Sequence, residues 1–191
     1  METENKIIAL FLEDKKPKTI RGIAKHIHAD YRITHTAAQR LLKKKILFGE
    51  IIGKSMLCTL NNSFLGIEVY TAEAQRKDSV LKKGQLQFAY KEIMTKVGTG
   101  LFVLLLFGSY AKRKQTKTSD IDLLFISNEA QFEEKITRIT SLLPLKIHAL
   151  VFTEEEFIRM KDAKKRNVVQ EVIENNVILY GVETYYVIKN A

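Results

Sequence analysis

Apolar positions along this chain change their period from helical to alternating and back, and the changes mark three regions. In the first, residues 1–61, the spacing is helical three times and then strand-like. "NKIIALFLE" (residues 5–13) spaces its apolar residues along one helix face, and "KTIRGIAKHIH" (18–28) puts Ile20, Ile23, Ala24 and Ile27 on one side. "ITHTAAQRLLKKKI" (33–46) repeats the pattern after a short turn. Thr36, followed three positions later by Gln39, has the form of a capping box, so the third helix is expected to begin between Thr34 and Thr36. Two β-prone apolar runs in "ILFGEIIGKSMLCTLN" (46–61) flank Gly53 and Lys54 and predict a hairpin.

The second region, residues 62–97, reads as a helical connector: "FLGIEVYTAEAQRK" and "QLQFAYKEIMTKV" are amphipathic and separate near "KDSVLKKG". From residue 98 onward strands alternate with helices. Residues 101–107, "LFVLLLF", form a continuous apolar run, as expected of a strand covered on both faces. "IDLLFI" predicts a second strand and "LKIHALVF" a third. Between them "NEAQFEEKITRITSLL" predicts a helix capped by Ser127 or Asn128. Thr153 with Glu156 forms a capping box that opens a helix over "TEEEFIRMKDAKK", and a helix over "NVVQEVIE", a strand over "VILYG" and a helix over "ETYYVIK" follow. The fold class is therefore α+β, with a small α/β domain around a mixed sheet in the last region.

Composition narrows the picture. A chain of 191 residues, 46% hydrophobic, can bury a real core in one domain or two small ones. Its longest apolar run is too short to cross a bilayer, and "METENKIIALFLEDKK" lacks the order of a signal peptide, so the expected location is the cytoplasm with no membrane partner. A single cysteine, Cys58, excludes an internal disulfide and a cysteine-based zinc site, and reads as a small core residue. The net charge of +9 is uneven: residues 1–60 hold 12 Lys+Arg against 6 Asp+Glu, the rest 19 against 16. That skew points to a polyanion partner for the first region, against the plainer reading of a solvated basic face.

Helix, helix, turn, helix and hairpin follow the order of a winged helix-turn-helix, and residues 4–60 resemble that DNA-binding family. The resemblance implies a third helix in the major groove and a hairpin wing on the backbone or minor groove of duplex DNA. Here that helix offers Thr36, Gln39, Arg40, Lys43 and Lys44, and the wing tip offers Lys54. Gln and Arg suit base edges, while lysines suit phosphates. Winged helices also serve as dimer or protein-binding modules, so a homodimer or protein-binding module is the competing expectation. The pair His26 and His28, considered with His35 as a metal site, reads instead as helix-surface residues, because positions two apart on a helix face different directions.

The densest chemistry lies in "GSYAKRKQTKTSDID", residues 108–122. In a strand, residues two apart share a face, which puts Asp120 beside Asp122, and a divalent cation relieves their repulsion. Hard oxygen donors of this kind suit magnesium, which joins carboxylates to substrate phosphates. Gly108 and Ser109 fall where a strand turns into a helix, and backbone N–H groups there can cradle phosphate. The set would hold a metal-bound nucleoside triphosphate. Gly108-Ser109, nine intervening residues and Ser119-Asp120-Ile121-Asp122-Leu123 resemble the signature of the minimal nucleotidyltransferases of the polymerase-beta-like superfamily, over residues 85–185. The resemblance implies transfer of a nucleoside monophosphate from an NTP to a protein or RNA hydroxyl, with Mg2+ or Mn2+. Asp120 and Asp122 would then be catalytic metal ligands, and Gly108 and Ser109 would bind the triphosphate.

Two positions depart from that family. It commonly carries glycine where this chain has Arg113, in the basic loop "KRKQTK". It also supplies a third carboxylate from the following strand, and "KIHALVF" has none; His148 lies near that place. Imidazole binds some metals but magnesium poorly, and it can act as a base, so the plainer reading of His148 is an ordinary strand residue. Glu154, Glu155 and Glu156 come next, and the dipole of a capped helix accounts for them. Two functional classes follow: an enzyme, or a non-catalytic nucleotide-sensing regulator or antitoxin.

Overall fold

The computed structural model describes residues 2–82, 84–116 and 118–191. Its contacts divide the chain into two units, Met1–Gln75 and Arg76–Ala191.

In the first unit, α1 (Glu2–Glu13) buries Ile7, Ile8, Phe11 and Leu12, the residues that the helical spacing selects. A two-residue strand β1 (Lys18–Thr19) precedes α2 (Ile20–His26), and the Thr19 side chain caps α2 by accepting from the Gly22 N–H. The third helix, α3 (Tyr31–Lys43), begins earlier than the expected start between Thr34 and Thr36. Asp30 is its cap: one carboxylate oxygen accepts from the N–H groups of Arg32 and Ile33, at 2.8 and 3.3 Å. Thr36 lies inside the helix, where its hydroxyl donates to the Arg32 carbonyl at 3.0 Å. A carboxylate one residue before the first turn satisfies two orphan donors and meets the positive helix end, so Asp30 takes the role that the Thr36–Gln39 spacing suggests. Strands β2 (Leu47–Ile52) and β3 (Ser55–Leu60) form the expected hairpin about Gly53 and Lys54, paired from Leu47 with Leu60 to Ile52 with Ser55. Strand β1 adds to β3, giving a three-stranded antiparallel sheet in the order β1-β3-β2. Cys58 is fully buried in it, and burial pushes its thiol pKa up.

Helix α4 (Ile67–Val80) carries the division between the units, and α5 (Gln85–Lys96) lies in the second. They separate after Val80; Lys83 lies outside the described residues. The second unit is built on a four-stranded sheet in the order β6-β5-β4-β7. Strand β4 (Val103–Phe107) is buried at all five positions and pairs antiparallel with β5 (Ile121–Ile126) and β7 (Val177–Tyr180). Strand β6 (Ile147–Phe152) runs parallel to β5. The expected first strand is thus shorter than its apolar run. Leu101 stays 79% exposed, and its carbonyl accepts from the Ser127 hydroxyl at 2.9 Å.

That bond also bears on the next helix, α7 (Phe132–Ser141), which starts later than a Ser127 or Asn128 cap requires. Gln131 stands at its cap with φ 62° and makes no side-chain capping bond. Asn128 instead accepts from the Glu154 N–H at 3.0 Å. Both candidate caps therefore serve contacts 26 residues away. Helix α8 (Glu154–Lys161) does open with the Thr153–Glu156 capping box; its bonds to Thr153 lower the pKa of Glu156. Helices α9 (Val168–Glu174) and α10 (Val182–Asn190) follow as expected. The core joins Leu86, Ala89 and Ile93 of α5 to Leu104, Leu106, Leu123 and Phe125 of the sheet and to Phe132, Ile136 and Ile139 of α7. No helix among the described residues is long and apolar enough to cross a membrane.

Candidate functional site

Chain reversal at the end of β4 brings the two halves of the Gly-Ser and Asp-x-Asp pattern together. Phe107, the last residue of β4, pairs with Asp122 of β5, so the next residue, Gly108, lies beside the Asp122 side chain. The approach is close. A Cβ on Gly108 would overlap Asp122 Oδ2 and stand 2.8 Å from its Cγ. Gly108 also has φ 66°, a conformation that glycine adopts without steric cost. It opens α6 (Gly108–Ala111), a single turn whose first N–H groups have no partner within the helix. Ser109 is half-buried there, and among the described residues its hydroxyl has no hydrogen-bond partner.

Asp122 lies within β5 with its side chain 24% exposed, whereas Asp120 lies one residue before the strand and is exposed. Among the described residues Asp120 has no hydrogen-bond or ion-pair partner. The other oxygen of Asp122 faces a residue that sequence reading left as an ordinary strand position. In the parallel β5–β6 pair Asp122 stands opposite His148, and Oδ1 lies 3.4 Å from Nδ1. Finding this pair requires the strand register, and no local signal in "LKIHALVF" carries it. The Asp122 carboxylate is thus set between Gly108 and an imidazole that is 57% exposed.

Arg113 shows why a glycine suits its position: its φ is 54°. Its guanidinium donates to the Ser79 hydroxyl at 2.8 Å, and Lys112 pairs with Glu171 at 3.3 Å. Two cations of the basic loop are therefore engaged, while Lys114 is exposed and Lys117 lies outside the described residues.

The donor set suits a hard divalent cation only partly supplied by protein. Among the described residues no three His, Cys, Asp or Glu side chains converge on a metal position. Magnesium characteristically takes one or two carboxylates and completes its shell with water and phosphate, so the donor chemistry of Asp120 and Asp122 suits it without a protein cage. A cavity of about 680 Å³ lies at the opposite end of the sheet, near Gly100, Phe102 and Glu129. Glu129 there is held at a lowered pKa by its 2.6 Å bond to Lys135. The cavity is remote from Gly108 and Asp122, and its size gives it no claim on their chemistry.

In the first unit, α3 buries Thr34, Ala37, Ala38 and Leu41. Helical spacing sets Arg32, Thr36, Gln39 and Lys43 along the opposite, exposed side. Among the described residues no hydrogen-bond or ion-pair partner holds the side chains of Arg32, Gln39, Lys43 or Lys54. Arg40 and Lys44 lie to one side and are paired. Arg40 is 3.6 Å from Glu4, and Lys44 is 3.1 Å from Glu68 and 3.9 Å from Glu4. Arg32 joins this outward side although the expected start of α3 left it out; Asp30 as the cap places it in the helix. His26 is exposed on α2, with Nδ1 2.7 Å from the Gly22 carbonyl, while His28 lies beyond that helix with φ 51°.

Comparison with curated proteins finds no match, and comparison with solved structures finds none. A family model does match: residues 91–184, from within α5 into α10, fit the family described as Polymerase beta, Nucleotidyltransferase. That span holds Gly108, Ser109, Asp120 and Asp122, and the match supports a nucleotidyltransferase domain of the polymerase beta type in this part of the chain.

Proposed function

We propose that this protein joins a winged-helix DNA-binding domain, residues 1–61, through a helical connector, residues 62–97, to a nucleotidyltransferase domain, residues 98–191. The second domain binds a metal–NTP complex and transfers a nucleoside monophosphate to a protein or RNA hydroxyl. One observation carries the reading: the Gly108 backbone lies against the Asp122 carboxylate, so a phosphate on the Gly108-Ser109 turn lies within reach of a cation held by the aspartates. The Ser109 hydroxyl and the turn's N–H groups orient the triphosphate. Asp120 and Asp122 hold Mg2+ or Mn2+, which when bound neutralises phosphate charge and polarises the reacting phosphoryl group. The acceptor oxygen bonds to the α-phosphorus, the bond to pyrophosphate breaks, and the hydroxyl proton is released. In the first domain Gln39, Arg40 and Thr36 of α3 are assigned to the groove, and Lys43, Lys44 and the wing-tip Lys54 to phosphates. The outward position of Arg32 adds it to this face.

The test is to incubate the full chain with labelled NTP, Mg2+ or Mn2+ and cell extract, beside Asp120→Ala and Asp122→Ala. Label should pass to RNA or protein with the wild type and not with either variant, and both variants should keep their folded far-ultraviolet spectrum. NTP binding that is equal in all three proteins would sink the site. The absence of a carboxylate in β6 favours a second reading, a non-catalytic nucleotide-sensing regulator or antitoxin. Metal-dependent binding without transfer selects it.

A further inference from the structure

The pairing of His148 with Asp122 bears on which metal the site accepts. Opposite residues of a parallel pair project to the same face, and here they bring an imidazole nitrogen within 3.4 Å of a carboxylate oxygen. Metal ligands of these types sit about 2.0–2.2 Å from their ion, so one cation can touch both atoms. The Asp122 carboxylate is fixed from the other side by Gly108, and His148, more than half exposed, is open to solvent. We propose that His148 and Asp122 together ligate a divalent ion whose shell water and phosphate complete, and that His148 shifts the preference from magnesium toward imidazole-accepting ions, Mn2+ being the probe. The inference rests on the nucleotidyltransferase reading of Asp122 and deepens it. Magnesium takes oxygen donors and gives up water reluctantly, whereas first-row transition ions take nitrogen donors too, Mn2+ the most weakly of them, so Mn2+ sets the smallest preference an imidazole would produce. A third oxygen donor in place of His148 would favour magnesium; a nitrogen there does not.

The experiment measures binding of the ions themselves to the full chain. Free Mn2+ is followed by electron paramagnetic resonance, with Mg2+ as competitor, for the wild type, His148→Ala, His148→Asp and Asp122→Asn. Removing the imidazole should weaken Mn2+ about tenfold while changing Mg2+ little, so the preference for Mn2+ narrows. His148→Asp should narrow it further by strengthening Mg2+. Asp122→Asn should lose both ions. If Asp122→Asn loses both but His148→Ala binds as the wild type does, the ligand role falls and the Asp122 site stands. An equal loss of both ions in His148→Ala makes His148 a positioning residue for the Asp122 carboxylate and also overturns the ligand role. Unchanged binding in Asp122→Asn removes the site and the inference together. A His148→Ala chain that fails to melt cooperatively is replaced by His148→Gln, which faces the same criteria.

Discussion

The two units hold their candidate residues in opposite ways. In the second, backbone does the placing: a glycine at φ 66° packs on Asp122, and strand register sets His148 opposite. In the first, side chains are spread along an exposed helix face, and those nearest α1 are held by acidic neighbours. The difference matches what each ligand would demand. A triphosphate and its ion require fixed donors at short range, whereas a duplex backbone is met by a field of cations that exchange counterions for phosphates. A substitution in the second unit should therefore act almost all-or-none, and one in the first should act by degrees.

The sharpest way to break this contrast is Gly108→Ala. A left-handed alanine costs about 1–2 kcal/mol before its Cβ meets the Asp122 carboxylate. Metal-dependent NTP binding should vanish and Tm should fall by roughly 5–10 °C. Gly181→Ala is the control: Gly181 has φ 75°, and a Cβ there would stand 2.7 Å from the Phe102 carbonyl oxygen, with no contact to the Asp122 site. It should lower Tm by a similar amount and retain NTP binding, measured by calorimetry below both transitions. Undiminished binding in Gly108→Ala would show that the close backbone approach is dispensable.

How far the sequence could be read follows the same division. Elements specified by neighbours in the chain were legible: the hairpin about Gly53, the Thr153–Glu156 capping box and the apolar strands β4 and β5. Elements specified by distant partners were not. Ser127 and Asn128 look like caps, yet they are committed to Leu101 and to Glu154, and α7 starts at Phe132 without a capping side chain. Strand β1 has two residues, too few for any period to show, and exists through its pairing with β3. The site divides likewise. Spacing alone marked Gly108, Ser109, Asp120 and Asp122 as candidates, but the β5–β6 register was needed to bring His148 to Asp122.

A smaller effect is expected on the proposed DNA face. Arg32 and Lys43 point outward from α3, so replacing both by alanine should reduce the slope of log affinity against log salt by roughly two, about 0.9 per lost phosphate contact. Arg40→Ala should change that slope less, because its guanidinium already lies 3.6 Å from Glu4. A fluorescence anisotropy titration of duplex DNA across a salt series checks both. Equal slopes in the wild type and the double variant would move the first unit to the protein-binding or dimer reading.

The smallest expected effect tests whether Glu4 restrains this face. Glu4 is nearly buried on α1, yet it reaches Arg40 and lies 3.9 Å from Lys44, both of which remain largely exposed. Exposed ion pairs contribute about 0–1 kcal/mol, and Lys44 stays 3.1 Å from Glu68, so releasing Arg40 should raise DNA affinity by less than roughly fivefold. Glu4→Gln preserves the side-chain shape and removes only the charge. Its gain should shrink as salt rises, because screening weakens the ion pair in the wild type as well. A loss of affinity in Glu4→Gln would reverse the reading: Glu4 would then hold Arg40 ready for DNA, and the first unit would share the preorganisation that now sets the second apart.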